Sequence, residues 1–292
     1  MMVAVRHKKG YDSELLSQTR RLLNRLDLKA RKSLGQHFLV DREVLANVVT
    51  AAELAPDDVV IEVGPGLGVL TEELAGKAGR IVAVELDDRL SDILRQRLAS
   101  VDNVTVVNGD ILELEPSALV GDKSAEYKVV ANLPYYITSA VIRHFLEASL
   151  KPRLMVVMVQ REVVEAIVAE PGRMSLLSVS VQFYGRPEIA GYASAGCFYP
   201  QPEVDSAILK VDVYPQPPVA VDDIDGFFRL VRAGFAASRK QIVNSLALGL
   251  GMPKDEAVLL LEAAGIMCQR RAETLALEEW QRLWQVLREK WK

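Results

Sequence analysis

The chain has 292 residues, half of them apolar and a quarter charged, which excludes a disordered polypeptide and leaves room for one large or two unequal domains. Its 35 Lys+Arg against 39 Asp+Glu give a formal charge of −4, a balance that, taken whole, speaks against a nucleic-acid binder. The cysteines, Cys197 and Cys268, have neither a CxxC partner nor a histidine at zinc-ligand spacing, so no metal site and a reducing, cytoplasmic setting are expected.

Residues 1–30 are polar and basic, with Leu15, Leu16, Leu22, Leu23 and Leu26 at helical spacing. They read as a loose start followed by a peripheral amphipathic helix, without the apolar core of a secretory signal. Arg31 to Asp41, RKSLGQHFLVD, has no period and reads as a structured loop, with a helix over Arg42 to Ala52. Beyond Pro56 short β-branched runs alternate with helical stretches. The runs are Val59–Val63, Arg80–Glu85, Val104–Val107 and Tyr127–Ala131; Gly68–Ala75, Arg89–Leu98 and Ser139–Ala148 read as helices. This alternation predicts parallel βαβ units with strands buried on both faces. Later apolar runs at Leu154–Val159, Leu176–Tyr184 and Ala207–Val213 extend the sheet, the last ones as an antiparallel edge. None approaches the roughly 20 residues of a membrane span. Pro215-Gln-Pro-Pro reads as a linker, and Gly226–Leu248, Lys254–Ala264 and Leu277–Trp291 as helices. The fold expected is α/β and Rossmann-like over 1–214, including a basic extension (1–42), with a small all-helical domain over 215–292.

The strongest local signal is Glu62-Val63-Gly64-Pro65-Gly66-Leu67-Gly68, a glycine loop between a strand and a helix. Glycines let the backbone turn sharply and approach a ligand. Glu62 beside such a loop would repel a pyrophosphate and can hold a cationic amine. Glu85, ending the next strand, can accept from both ribose hydroxyls; Asp110, ending the third, can accept from an adenine amino group; Asn132 ends the fourth. Four polar groups at the carboxyl ends of successive parallel strands, where open α/β sheets bind ligands, describe a nucleoside with an amino-acid tail. S-adenosyl-L-methionine fits.

Asn132-Leu133-Pro134-Tyr135 suits methylation of a purine amine, whose lone pair is delocalised into the ring. The Asn132 side chain and the Leu133 carbonyl can each accept one N–H, Pro134 fixes the backbone, and Tyr135 can stack on the base. Phe198, in Phe198-Tyr-Pro-Gln-Pro-Glu-Val-Asp-Ser206, is expected to close the other face of the base.

These motifs, together with VELD at 84–87, GD at 109–110 and QREV at 160–163, resemble in order the small-subunit (16S) ribosomal RNA adenine N6,N6-dimethyltransferase family, kin of the Erm methylases. The resemblance implies dimethylation of two adjacent adenines near the 3′ end of that RNA, in an assembled 30S particle, by a monomer. It implies cofactor contacts from His37, Leu39, Gly64, Glu85, Asp110 and Asn132, with Glu62 near the methionine end. It implies that Asn132, Leu133, Pro134, Tyr135 and Phe198 hold the adenine. The chain departs from the family pattern at Ser238 and Val243, in a C-terminal helix that is usually more basic, and at Glu203, where lysine is common; each change weakens phosphate contacts. An Erm-type large-subunit methylase, a non-catalytic nucleic-acid-binding factor of the same fold and a small-molecule methyltransferase are the alternative readings.

Divided along the chain, the charge reads differently. Residues 1–42 carry +6, residues 226–292 carry +4, and residues 43–225 carry −14. The acidic excess sits in the Rossmann-like body, where carboxylates either hold a cationic cofactor or are simply solvated. Arg31, Lys32, Arg239 and Lys240, in the basic ends, are expected to meet RNA phosphates beside the mouth of the site.

Overall fold

The computed structural model describes residues 13–28, 31, 34–121 and 126–291; Lys32 lies outside the described residues. The elements run α1 (Ser13–Arg25), β1 (Phe38–Leu39), α2 (Arg42–Ala51), β2 (Val59–Val63), α3 (Val69–Ala75), β3 (Arg80–Glu85), α4 (Asp88–Arg97), β4 (Val104–Asn108), α5 (Pro116–Val120), β5 (Tyr127–Asn132) and α6 (Thr138–Glu147). They continue with β6 (Leu154–Gln160), α7 (Arg161–Ile167), α8 (Leu176–Tyr184), β7 (Gly185–Ala193), β8 (Phe198–Tyr199), β9 (Ser206–Val213), α9 (Ile224–Gly234), α10 (Ile242–Leu250), α11 (Lys254–Ala263) and α12 (Leu277–Trp291).

Seven strands form one sheet in the order β4-β3-β2-β5-β6-β9-β7. The pairs β2–β3, β2–β5, β3–β4 and β5–β6 are parallel. The Val/Ile-rich runs predicted as doubly buried strands are so: Val60, Ile61, Ile81, Ala83, Val129, Val130 and Met155 to Val159 are at most 1% exposed. Chain order reverses beside β2, and it is at the carboxyl ends around this reversal that such sheets bind ligands.

The chain divides into two compact units, Met1–Arg161 with Ile189–Lys210, and Glu162–Glu188 with Val211–Lys292. The second unit thus gathers α7 and α8 with the C-terminal helices, whereas the boundary expected from the proline run placed them with the sheet. The reason is chemical. Leu176–Tyr184, expected as a strand, is the helix α8, started by a capping box in which Ser175 and Ser178 satisfy each other's backbone. Its Phe183 stacks on Phe227 of α9, ring centroids 5.2 Å apart. The strand of this region is β7 instead, whose alternately exposed residues carry no apolar run.

Gly226–Leu248 was expected as one helix and is two. A Cβ on Gly249 would stand 2.4 Å from the Ala233 Cα, so α9 and α10 pack backbone to backbone, which a straight helix forbids. The turn between them is held by Ser245 Oγ donating to the Ala237 carbonyl and by Ile242 N donating to that of Arg270. The basic element around Arg239 and Lys240 is therefore an exposed turn rather than a helix.

In the first unit, α1 buries Leu15, Thr19 and Leu23, four residues apart. Leu23 packs with Phe38, Leu67 and Leu90. Arg89 donates to the carbonyls of Leu26 and Asp27 beyond the end of α1. At the far end of the sheet the Lys128 ammonium, 1% exposed, pairs with Asp58 at 2.7 Å and takes the carbonyls of Ala52 and Glu53 after α2. Removing the ammonium takes its donor from the two carbonyls and leaves Asp58 only the longer 3.4 Å pairing with Arg153. Lys128→Ala is therefore expected to lose about 3 kcal/mol in urea unfolding, with cofactor affinity in the remaining folded protein unchanged.

Candidate active site

The cavity lies in the first unit, at the carboxyl ends of β2, β3 and β5, and encloses about 1100 Å³ with its open mouth included. Its wall brings together His37, Leu39, Glu62, Gly64, Gly66, Glu85, Asp110, Asn132, Leu133, Pro134 and Tyr135, all eight expected cofactor residues and four of the five expected to hold the base.

The floor is the glycine loop. Gly64, Gly66 and Gly68 have φ of 65°, 58° and 82°, a region that side chains disfavour. A Cβ at Gly68 would also stand 2.5 Å from Leu94 Cδ1. The loop is tied to β3 by Glu85, whose carboxylate accepts from Gly66 N and from Asp87 N, both at 2.9 Å. Burial raises the Glu85 pKa, and those two N–H groups restrain the rise.

Glu62 lies deeper, at 1% exposure. Its Oε2 has no hydrogen-bond partner among the described residues. Burial is the main cause that lifts its pKa to about 8; the nearby Thr71 hydroxyl opposes the rise and Glu85 adds to it. A buried acceptor without a donor is costly, and a cationic amine would satisfy it. Asp110 caps the short turn Ile111–Glu113 through Oδ1, which accepts from Leu112 N at 2.9 Å. The Asp110 Oδ2 remains for a ligand.

The acceptor side is built from β5 and the N-terminal loop. Asn132 Nδ2 donates to the His37 carbonyl at 3.0 Å. That bond orients the amide and leaves Oδ1 as an acceptor. Leu133 N donates to the Met158 carbonyl, while no described residue donates to the Leu133 carbonyl. The Tyr135 hydroxyl is 2.8 Å from Ser206 Oγ, and burial raises its pKa, so the phenol is neutral. The Tyr135 ring lies nearly parallel to His37, centroids 5.8 Å apart. His37 Nδ1 is 2.7 Å from the Pro200 carbonyl, and so joins this loop to the proline loop. Cofactor loop and tetrapeptide adjoin: a Cβ at Gly64 would meet Pro134 Cδ at 3.9 Å.

Phe198 is the exception. It is 4% exposed, packs in the core cluster with Leu39, Ala193 and Ile208, and does not line the cavity. In the β1–β8 pair Phe198 stands opposite Leu39, which does line the cavity, and Tyr199 opposite Phe38. The ring that faces Tyr135 in this structure is that of His37.

Of the expected RNA contacts, Arg31 is half exposed and pairs with Asp87 at 3.3 Å; Arg239 and Lys240 are exposed in the second unit. Sequence reasoning missed Asp87, which caps α4 and also accepts from Gln36, and Tyr136 at the cavity mouth. The doubled aromatic Tyr135-Tyr136 was the signal for the second.

A doubly wound parallel sheet, a glycine loop with an unsatisfied acid beneath it and a second acid after β3 define a Rossmann-like methyltransferase that uses S-adenosylmethionine. More narrowly, the chain belongs to the ribosomal RNA adenine dimethylase family, whose model matches residues 27–289. It is 52% identical over 271 residues to a ribosomal RNA small subunit methyltransferase A of Dehalococcoides mccartyi, covering 92% of each chain. It is 44% identical to the protein of that name from Moorella thermoacetica, covering 90% of this chain and 94% of the relative. Among solved structures it is similar to the 23S rRNA methyltransferase ErmE, with a TM-score of 0.68, 31% identity, and 86% and 99% of the two chains covered. A dimethyladenosine transferase from Plasmodium falciparum, at 23% identity and a TM-score of 0.73 over 87% and 98% of the chains, shares the fold.

The raised Glu62 pKa sets a pH test. The folded protein holds a proton that the unfolded chain releases near 4.5, so the stability this group contributes is lost as pH rises from about 4.5 to about 8. Glu62→Gln is expected to remove that loss. Without cofactor, its melting temperature should exceed that of the wild type by several degrees at pH 9 and by much less at pH 5. Calorimetry of the same variant should show weaker S-adenosylmethionine binding.

Proposed function

We propose that this enzyme transfers methyl groups from S-adenosylmethionine to the N6 amines of two adjacent adenines near the 3′ end of small-subunit ribosomal RNA, acting on an assembled particle, as a monomer, in the cytoplasm. No helix among the described residues is long and apolar enough to cross a membrane. The names of the relatives support the substrate class. The observation that carries the chemistry is the Asn132 amide, pinned through Nδ2 with Oδ1 free, beside the unclaimed Leu133 carbonyl.

Two acceptors at that spacing suit the two hydrogens of an adenine amine. Accepting both draws them out of the ring plane and localises the nitrogen lone pair. Pro134, with φ −58° and ψ 133°, holds the Leu133 carbonyl in place, and Tyr135 offers its ring face to the base. Glu62 would hold the cofactor's ammonium, Glu85 its ribose hydroxyls and Asp110 its adenine amine. Bound there, the cofactor supplies a methyl group on a positively charged sulfur. The nitrogen that receives the methyl becomes acidic enough to lose its proton to water, so these residues work by positioning.

RNA affinity is attributed to the basic ends. Arg20, Arg21 and Arg25 are exposed on α1, and Arg239 and Lys240 add two further cations. Arg31, bonded to Asp87, contributes half of its surface.

The deciding measurement is transfer from labelled cofactor to undermethylated small and large ribosomal subunits, side by side. Product on two adjacent adenines of the small subunit is expected; product on the large subunit alone would give the Erm-type reading. Asn132→Ala should lower kcat at least a hundredfold. Arg239→Glu with Lys240→Glu should weaken particle binding and reduce its logarithmic salt slope by about 2, with cofactor affinity unchanged.

A further inference from the structure

Tyr136 is 57% exposed, while its neighbour Tyr135 is partly buried and bonded to Ser206. A lone exposed aromatic is ordinary. Three features set this one apart. It belongs to the mouth of the cavity assigned to the cofactor and the target base. It is backed by Gly35, where a Cβ would stand 3.3 Å from Tyr136 Cδ1 and 3.5 Å from Cε1. Gly35 has φ 57°, so the backbone at that point is shaped for glycine and leaves the ring room to lie against it. Finally, the other exposed aromatic among the described residues of this unit, Tyr192, has its face covered by the Arg161 guanidinium at 5.3 Å, and the half-buried Tyr199 lies under that of Arg20 at 4.9 Å. Among the described residues no ring or cation covers Tyr136.

We infer that Tyr136 is a stacking platform for the nucleotide next to the adenine being methylated. The inference rests on the RNA-methylating reading above and adds a second base-binding position to it. A base cannot reach the Asn132 amide while stacked in its strand, and extruding it takes a stacking partner from its neighbour. An aromatic ring supported from behind, one residue along the chain from the ring that receives the target, replaces that partner. Stacking does not read base identity. The platform therefore serves whichever of two adjacent adenines is waiting while the other is in the site. The Tyr136 hydroxyl has no hydrogen-bond partner among the described residues, so the ring face is the group that acts.

The test uses the full-length enzyme and undermethylated small subunits, with Tyr136→Ala, Tyr136→Phe and Tyr136→Trp. For Tyr136→Ala, KM for the particle should rise about tenfold. Cofactor Kd and melting temperature should stay at wild-type values, and mass mapping should show particles carrying one modified adenine. Tyr136→Phe and Tyr136→Trp should behave as wild type. A wild-type KM for Tyr136→Ala would overturn the inference. So would a Tyr136→Phe as impaired as Tyr136→Ala, which would assign the role to the hydroxyl, or a matching loss of cofactor affinity, which would place the ring in the cofactor site. Failure of the wild type to methylate small subunits would instead overturn the reading on which the inference stands.

Discussion

The site depends on keeping two carboxylates out of water. Glu62 and Glu85 are 1% and 6% exposed, a setting in which a charge is tolerated only if donors replace its hydration. For Glu85 the donors are the backbone N–H groups of Gly66 and Asp87. The glycine loop is thus folded around the Glu85 carboxylate. For Glu62 the chain provides no donor to Oε2 among the described residues, and the group holds a proton until a cation takes over. One acid organises the loop, and the other is left without a donor beneath it.

From that core the rest follows by adjacency. Asp87, two residues after Glu85, caps α4 and accepts from Gln36 and Arg31, which draws the 34–39 loop over the cavity. The same loop presents the His37 carbonyl to Asn132 and the His37 ring to Tyr135. The segment that carries the Asn132 and Tyr135 contacts thus also lines the cavity beside Glu62 and Glu85.

Much of this was legible in the chain itself. The parallel strands announced themselves as Val/Ile runs because both of their faces are buried, and Glu62, Glu85, Asp110 and Asn132 stood out because each lies at or just past the carboxyl end of such a run. What escaped is what depends on partners distant in sequence. Leu176–Tyr184 is apolar enough for a strand and becomes a helix through a two-serine cap and aromatic packing on Phe227. The break between α9 and α10 comes from the close approach of Gly249 to Ala233, which no local propensity marks. Phe198 stands out only by its motif, and its packing with Ala193 and Ile208 depends on contacts that the local sequence does not mark.

The shared wall has a thermodynamic consequence. Residues 34–39 line both halves of the cavity, and His37 is fastened at once to Asn132 and to Pro200. A shift of this wall that tightens one half is felt by the other. By linkage, the factor by which bound cofactor changes affinity for RNA must equal the factor by which bound RNA changes affinity for the cofactor.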